Sequence, residues 1–285
     1  MLLIGIDLGG TKVSAALFSG KRELKRERFM IEMKTREAVV EQMFRIFEKI
    51  SSGKKISAVG IGVPGSVKDG RTVFVPNITS LNDTPLKKAF EKKFHVRAAV
   101  ENDADCFAFG ESIMRKEKDL IGITIGTGLG GGVVIGGEIY HGSGSAAHFG
   151  HMTIDMNGKK CSCGSQGCLE QYASGRSIED EAEKIYGERI KPESLANLAR
   201  RGDAKAMQVF DTFGKHLGIG LSNINFMFNP QTIVLGGGVS QASDVFLPSA
   251  LDEMRKRCFL EIPKILTSSR DCCFGAAMVA MRGKK

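Results

Sequence analysis

The sequence of 285 residues is long enough for two domains and a sizeable core, and its 42% hydrophobic and 25% charged content is ordinary for a globular protein. No uncharged run approaches the length of a membrane span, and Asp7 stands within the first apolar stretch, which excludes a signal peptide and predicts a cytoplasmic protein without a membrane partner. The net charge of +8 comes from basic residues scattered among acidic ones, so a solvated surface is favoured over a nucleic-acid site.

The first predicted elements are strands joined by glycine-rich turns. Residues 3–6 read Leu-Ile-Gly-Ile and run into the turn of residues 7–12, after which strands at 12–18 and 24–33 complete a meander. The same four letters open a second strand and glycine turn at 120–128. Because glycine lets main-chain N–H groups approach an anion, each copy is expected to form half of a phosphate clamp.

The rest of the first half alternates helices and strands. We predict a helix capped by Thr35, a strand at 56–62, a hairpin around 68–71, a helix at 85–94 capped by Thr84, a strand at 96–100 and a helix at 104–115. The strand at 96–100 ends in Glu101-Asn102-Asp103. Ligands of open α/β sheets gather at the carboxyl ends of strands, so this polar triplet is a candidate site.

The second half repeats this plan. Residues 232–238 form a strand followed by glycines, as residues 56–62 do, and long helices are expected at 177–186, 195–200 and 205–228. A small-residue helix at 275–281 is expected to return to the first half. The repeated order of hairpin, helix and strand-glycine predicts a duplicated nucleotide-binding α/β fold.

Five motifs together resemble the ROK family of sugar kinases and sugar-responsive repressors. They are Asp7-Leu-Gly-Gly-Thr-Lys, Glu101-Asn-Asp-Ala, Gly126-Thr-Gly-Leu-Gly-Gly, Gly150-His and Cys161-Ser-Cys-Gly-Ser-Gln-Gly-Cys-Leu-Glu, in this order along nearly the whole chain. The cysteine motif is highly specific, whereas the glycine loops alone are weak signals.

The resemblance implies the ribonuclease-H-like fold of actin and hexokinases, with two α/β domains and a ligand cleft between them. We expect a small domain of residues 1–104 and 274–285, and a large domain of residues 105–273 that contains a zinc-binding segment. ATP is then expected on three loops, whose residues are Asp7, Gly9, Gly10, Thr11 and Lys12; Gly126, Thr127 and Gly128; and Gly236, Gly237 and Gly238. Asp7 is the expected partner of Mg²⁺, its alternative role being to cap a turn.

The resemblance also implies a catalytic base and a sugar site. Asp103 is the expected base, because a carboxylate can accept the proton of a sugar hydroxyl; its alternative role is to cap the following helix, which is compatible with catalysis. The residues expected around the sugar are Gly65, Asn82, Asn102, Asp103, His148, His151 and Glu170. Asn82 and Glu170 can alternatively be surface residues.

Three cysteines and a histidine form the expected metal site. Cys161, Cys163 and Cys168 supply thiolates and His151 a ring nitrogen, a set that suits a closed tetrahedral zinc ion, the alternative being a reduced and empty cluster. If His151 binds the zinc ion through one nitrogen, the other can face the sugar. The other cysteines have no comparable spacing and are interpreted as core or surface thiols.

Two positions depart from the family pattern. The family usually has a glutamate where this chain has His148, and a tryptophan where it has Leu81. An imidazole differs from a carboxylate in charge, reach and hydrogen-bonding capacity, so the preference for glucose is weakened and N-acetylmannosamine or another hexose is admitted. His148 can also point away from the sugar.

The leading hypothesis is an ATP-dependent hexose kinase that makes a sugar 6-phosphate, with glucose as the default substrate and a homodimer or homotetramer as the expected assembly. A DNA-binding repressor is the second hypothesis, disfavoured because the first strand begins at Leu2 and leaves no room for a preceding DNA-binding domain. An actin-like ATPase is the third, and it leaves the zinc ligands unexplained.

Overall fold

The computed structural model describes residues 1–31 and 35–282, so the strand predicted at 24–33 ends outside the described residues. The strands are β1 (Leu2–Leu8), β2 (Lys12–Ser19), β3 (Arg22–Met30), β4 (Ala58–Val63), β5 (Ser66–Lys68), β6 (Arg71–Phe74), β7 (Arg97–Asn102), β8 (Leu120–Ile125), β9 (Leu129–Ile135), β10 (Glu138–Ile139), β11 (Thr232–Gly236) and β12 (Lys264–Thr267). The helices are α1 (Arg36–Ser51), α2 (Leu86–Phe94), α3 (Asp103–Arg115), α4 (Gly175–Tyr186), α5 (Pro192–Arg200), α6 (Ala204–Phe228), α7 (Ser243–Arg257) and α8 (Cys273–Arg282).

The first five-stranded sheet has the order β3-β2-β1-β4-β7. Strands β1, β2 and β3 form the predicted antiparallel meander, and β4 and β7 continue the sheet parallel to β1. The register pairs Asp7 with Gly62 and Gly62 with Glu101. The carboxyl ends of the three parallel strands therefore present Asp7 and the predicted polar triplet at one edge of the sheet.

The second five-stranded sheet has the equivalent order β10-β9-β8-β11-β12. Strands β11 and β12 are parallel to β8, as β4 and β7 are to β1. The pairing of Gly236 with Thr124 brings the last residue of β11 level with the end of β8. The predicted duplication of the fold is confirmed, because the two sheets share one strand order.

The chain forms two compact units, of which the first comprises residues 1–118, 132–146 and the segment from Asp271, and the second residues 119–131 and 147–270. These boundaries differ from those expected at 104 and 273. The reason is that α3 packs on α8 within the first unit, where a Cβ on Gly275 would overlap the carbonyl oxygen of Cys106. Such a close approach of two backbones is possible only without a side chain.

Glycines also allow α8 to pack closely on the first sheet. An added Cβ at Gly5 or Gly60 would overlap the carbonyl oxygen of Cys273 or Ala276 respectively, so β1 and β4 lie in backbone contact with the helix. On α1 and α2, the rings of Phe44, Phe47, Phe90 and Phe94 pack edge-on or tilted at 4.3–6.1 Å between centroids. A buried phenylalanine contributes roughly 1.5–3 kcal/mol, so this cluster fixes the two helices.

The starts of α2 and α3 differ from the predicted ones. Helix α2 begins at Leu86 with Pro85 at the N-cap and no side-chain cap, because the Thr84 hydroxyl is buried and donates to the carbonyl of Asn82 at 3.4 Å. Helix α3 begins one residue earlier than expected, at Asp103, with Asn102 as its cap. None of the helices in residues 1–31 and 35–282 combines the length and apolar character that a membrane crossing requires.

Candidate functional site

The first glycine loop closes a tight turn between β1 and β2. The N–H of Gly9 donates to the carbonyl of Lys12 at 2.9 Å, and the carbonyl of Thr11 accepts from Ile31 at 2.9 Å. An added Cβ at Gly10 would come within 2.9 Å of the Asn77 side chain. The loop is therefore compact and leaves little space for side chains at its glycines, as a main-chain phosphate site requires.

Asp7 precedes this loop and lies at the start of α8. Its carboxyl group accepts hydrogen bonds from the backbone N–H and the thiol of Cys272. Burial, and next the charge of Asp271, raise the pKa of Asp7 to about 6, although Cys272 and Arg26 oppose the shift. A buried carboxylate with a raised pKa is a group that a divalent cation would stabilise in its charged form.

Asp103 is the first residue of α3 and keeps only part of its surface in contact with solvent. Its Oδ1 accepts from the N–H of Ala104 at 2.8 Å. Burial, followed by the charge of Asp7, raises the pKa of Asp103 to about 7. Asp7 and Asp103 thus act on each other electrostatically within the first unit, and Asp103 titrates where a general base is most effective.

Asn102 caps α3, the role that was the alternative for Asp103. Its Oδ1 accepts from Ala104 at 2.8 Å and from Asp105 at 3.1 Å, while its Nδ2 donates to the carbonyl of Gly65 at 2.8 Å. The side chain of Asn102 therefore ties the end of β7 to the turn after β4. One Nδ2 hydrogen remains for a ligand, so Asn102 positions its neighbour Asp103 as much as it recognises a sugar.

Gly65 and Asn82 lie in the same unit as Asp103. Gly65 has a φ of 96°, and an added Cβ would overlap the carbonyl oxygen of Phe74, so no other residue fits there. Asn82 is partly buried, and its Oδ1 accepts from the N–H of Val75 at 2.7 Å. Asn82 is thus anchored to the polypeptide chain and is not a free surface side chain.

The second glycine loop is braced by Glu170. Its Oε2 accepts from the N–H of Leu129 at 2.8 Å, and an added Cβ at Gly128 would overlap this oxygen. The N–H of Gly126 donates to the carbonyl of Gly128 at 2.9 Å, and the N–H of Arg176 reaches the carbonyl of Thr127 at 3.4 Å. Glu170, expected beside the sugar, is therefore also a support for the second glycine loop.

The third glycine loop follows β11. Gly237 has a φ of 83°, and an added Cβ would overlap the carbonyl oxygen of Ile125 at the end of β8. An added Cβ at Gly238 or at Gly126 would meet no atom within 4 Å. Gly236 ends the strand, so the turn presents a bare backbone next to open space in the second unit, as an adenosine-binding loop needs.

The predicted zinc ligands come together in the second unit. His151, Cys161, Cys163 and Cys168 each offer a ligand atom, all within 4.8 Å of one another. The Sγ atoms of Cys163 and Cys168 are 3.7 Å apart, as are Nδ1 of His151 and Sγ of Cys161. Tetrahedral Zn–S and Zn–N bonds require separations of about 3.8 and 3.6 Å, so the set fits a structural zinc ion.

The segment carrying these ligands is held by its own backbone. Cys161 donates to the carbonyl of Ser165 at 2.8 Å, and Gly167 donates to that of Lys159 at 2.8 Å. Gly167 has a φ of 72°, and an added Cβ would overlap the carbonyl oxygen of Asp155. The Gln171 amide also donates to Sγ of Cys161 at 3.5 Å, which supplies a polar neighbour for the thiolate.

His148 lies close to the cluster, with its ring centroid 6.2 Å from that of His151. The residue is exposed, and partial desolvation followed by the charge of His151 lowers its pKa. The preceding residue, Ala147, has a φ of 63°, a left-handed conformation that costs an alanine roughly 1–2 kcal/mol. A glycine would adopt this conformation without that cost.

Cys272 is the site residue that the sequence did not reveal. It was interpreted as a core or surface thiol, but it donates to Asp7, and an added Cβ at Gly62 would lie 2.5 Å from its sulfur. Its position immediately before a small-residue helix was the available signal. Without the fold, nothing places this segment beside β1.

Two sheets of the same order, each opening on a glycine turn, define an actin/hexokinase-like fold, the class of many phosphoryl-transfer proteins. The comparisons with known proteins agree. The chain belongs to the ROK family, whose sequence model matches residues 3–276.

Curated relatives include both enzymes and regulators. A glucokinase of Streptomyces coelicolor is 34% identical over 278 residues, which cover 90% of this chain and 86% of the relative. A xylose repressor of Bacillus subtilis is 36% identical over 209 residues, which cover 72% of this chain and 54% of the repressor. The family is therefore certain, and both classes of function occur among its relatives.

Among solved structures, a ROK family glucokinase from Streptomyces griseus in complex with glucose and AMPPNP superimposes with a TM-score of 0.87 at 32% identity. The match covers 99% of this chain and 100% of the glucokinase. The predicted fold class is thereby confirmed.

Proposed function

We propose that this protein transfers the γ-phosphoryl group of ATP to the 6-hydroxyl of a hexose, with glucose as the default substrate. The observation that carries the proposal is the position of Asp103 at the start of α3, where the carboxyl ends of β1, β4 and β7 bring it to the same edge of the sheet as Asp7; burial, followed by the charge of Asp7, raises its pKa to about 7. Capping of α3 is done by Asn102, so the carboxylate of Asp103 is not required for that role. Glucokinases among the relatives support the reaction class.

In the proposed reaction the hexose O6 attacks the γ-phosphorus while its proton moves to a carboxylate oxygen of Asp103. The bond from phosphorus to the bridging oxygen breaks, and ADP leaves with the electron pair of that bond. The products are a hexose 6-phosphate, ADP and a proton, which Asp103 returns to water. General base catalysis of this kind typically contributes ~10²- to 10⁴-fold, and the remainder comes from positioning and charge stabilisation.

The main-chain N–H groups of the three glycine loops are assigned to the nucleotide. The loops at Gly9 to Lys12 and Gly126 to Gly128 serve the phosphates, and the turn at Gly236 to Gly238 serves the adenosine. Asp7 is assigned to Mg²⁺, which when bound would neutralise charge on the phosphate oxygens. Asp7 fits this role because its carboxyl group is partly buried and its pKa is raised to about 6, so a bound cation would stabilise its charged form.

Gly65, Asn82, Asn102, His148 and His151 are assigned to the sugar, with Glu170 as a ligand that also supports the second loop. A zinc ion held by His151 and the three cysteines would fix the segment that ends in Glu170. The neutral imidazole of His148 offers one hydrogen-bond donor and one acceptor, whereas the carboxylate of a glutamate would offer two acceptor oxygens. N-acetylmannosamine or another hexose is the alternative substrate.

A coupled assay that measures ADP release across glucose, fructose, mannose, allose, N-acetylglucosamine and N-acetylmannosamine tests the proposal. We expect ATP turnover that depends on one or two of these sugars and that Asp103→Asn abolishes while sugar still binds. Asp252→Asn, an exposed carboxylate on α7, is the matched control. ATP turnover that is indifferent to every hexose would instead support an actin-like ATPase.

A sugar-responsive regulator is the second candidate, favoured by the resemblance to the xylose repressor. The chain spans about half of that repressor, so the resemblance reaches only part of its length. Binding to DNA titrated against salt separates the two candidates, since tight sequence-specific binding without sugar phosphorylation would rank the regulator first. A homodimer or homotetramer is part of the proposal, and sedimentation equilibrium measures it.

A further inference from the structure

A second cluster of ligating side chains lies at the junction of β7 and α3. Glu101 is the next-to-last residue of β7, Asp105 lies in the first turn of α3, and His141 follows β10. Each offers one ligand atom, and these atoms all lie within 4.8 Å of one another. The three residues belong to the first unit and are separate from the cysteine cluster of the second.

The imidazole and one carboxylate already touch. Nε2 of His141 lies 2.7 Å from Oε2 of Glu101, while Oε1 of Glu101 accepts from the N–H of Asn102 at 3.0 Å. The carbonyl of His141 accepts from Gly144 at 2.8 Å and from Ala146 at 3.1 Å, so the loop presenting the ring is ordered by its own hydrogen bonds. Two of the three ligands are therefore preorganised.

A buried carboxylate oxygen of Asp105, unpaired within the described part of the chain, is independent evidence for a bound ligand. The residue is only 7% exposed, and its Oδ1 has no hydrogen-bond partner among the described residues. A carboxylate in the first helical turn usually faces solvent or accepts from nearby N–H groups, and this oxygen does neither. A buried acceptor without a partner costs roughly 1–3 kcal/mol, a cost that a bound cation would remove.

A cavity of about 670 Å³ gives access to this junction. Glu101 and His141 line it, together with Lys68, Arg97 and Arg282 of the same unit. The His141 side chain is 31% exposed and that of Glu101 12% exposed, so the pair forms the boundary between the cavity and the buried Asp105.

From this geometry we infer that Glu101, Asp105 and His141 bind a divalent transition-metal ion of the Mn²⁺ or Zn²⁺ class. Two carboxylates and an imidazole are a mixed oxygen and nitrogen set, which suits these ions better than Mg²⁺ or Ca²⁺. Bonds of about 2.0–2.2 Å allow ligand atoms up to ~4.4 Å apart, so small side-chain rotations complete the site.

The bound ion would act on the segment that carries the proposed base. Residues 101–105 contain Asn102 and Asp103, and a cation held by Glu101 and Asp105 would join the end of the strand to the first turn of the helix. The competing arrangement is a proton on Asp105 and a hydrogen bond between Glu101 and His141. Burial raises the pKa of Asp105 well above its ordinary value, so that state needs no metal.

Titration with Mn²⁺ of purified protein that carries one zinc ion per chain, at the cysteine cluster, decides between these states. Without nucleotide or sugar, the electron paramagnetic resonance signal of free Mn²⁺ reports how much metal is bound. We expect one tightly bound Mn²⁺ in the wild type and at least a tenfold weaker affinity in Asp105→Asn and in His141→Gln. Echo modulation from an imidazole nitrogen should appear in the wild type and be absent from His141→Gln.

Cys161→Ser and Asp7→Asn are the controls for the other two metal sites, and both should retain the Mn²⁺. Asp105→Asn preserves the shape of the side chain, and its circular dichroism checks that the fold persists. Absence of tight Mn²⁺ binding in the wild type, or unchanged binding in Asp105→Asn, would overturn the inference. Because no turnover is measured, either result is independent of the proposed kinase activity.

Discussion

Replacing Asp103 with asparagine should remove catalysis and at the same time stabilise the protein. The pKa of this carboxyl rises from an ordinary value of 3.8 to about 7 on folding, mainly through burial and next through Asp7. The folded state therefore binds more protons than the unfolded state between about pH 4 and pH 7, and stability falls as the pH rises through this window. Asparagine carries no charge and keeps an oxygen for the N–H of Ala104.

The raised pKa of Asp103 corresponds to a destabilisation of the folded protein by at most about 4 kcal/mol at pH 8. Because Asp103 keeps part of its surface in water and its neighbours can relax, we expect Asp103→Asn to raise the free energy of unfolding by about 1–3 kcal/mol at pH 8. The gain should shrink at pH 5, where the folded wild type is already protonated. The same Asp103→Asn substitution should lower turnover ~10²- to 10⁴-fold.

Urea denaturation at pH 8 and pH 5, followed by fluorescence and circular dichroism, measures the stability, and the coupled assay measures the turnover. Asp252→Asn should change stability by less than about 0.5 kcal/mol at either pH. A variant no more stable than the wild type at pH 8, or a gain of equal size at both pH values, would contradict the electrostatic argument. Undiminished turnover would exclude Asp103 as the base.

Four further substitutions test other parts of the structure. Ala147→Gly should stabilise the protein by about 0.5–1 kcal/mol in thermal unfolding, because relief of the left-handed backbone outweighs the added unfolded-state entropy; a loss of stability would contradict the assigned backbone. Glu170→Gln should raise KM for ATP roughly tenfold, since the bond from Leu129 loses its charged acceptor; an effect confined to the sugar would show that the loop needs no such support. Cys161→Ser should lower the zinc content measured by atomic absorption and raise KM for the sugar, and a wild type without zinc would refute the site. His148→Glu should shift kcat/KM towards glucose, and an unaltered sugar profile would place His148 outside the sugar site.

Local sequence patterns were sufficient for much of the fold. The repeat of Leu-Ile-Gly-Ile at residues 3 and 120 marked equivalent strands, and the glycines after them marked the turns. The cysteine spacing was equally informative, because ligands close in sequence must lie close in space. Helix α7 was not predicted, since Pro248 and a weak apolar stripe obscure its period, and neither was the short strand β12.

Features that depend on distant residues were not predicted. Thr84 looked like a helix cap, but Thr72 hydrogen-bonds to its backbone and holds it in a buried network. The grouping of His141 with Asp105 requires the loop after β10 to return to the start of α3, which no local pattern specifies. The same holds for Cys272 and Asp7, which are neighbours only after folding.

The order of synthesis also bears on how the first unit forms. Helix α8 occupies residues 273–282 yet packs against β1 and β4, which are made near the beginning of the chain. During synthesis, the strands of the first sheet therefore leave the ribosome long before α8 does. Until α8 emerges, the apolar face of β1 and β4 that it covers stays exposed to solvent. Nascent chains stopped before residue 273 should bind chaperones that recognise exposed hydrophobic strands, and should release them once the final helix has cleared the exit tunnel.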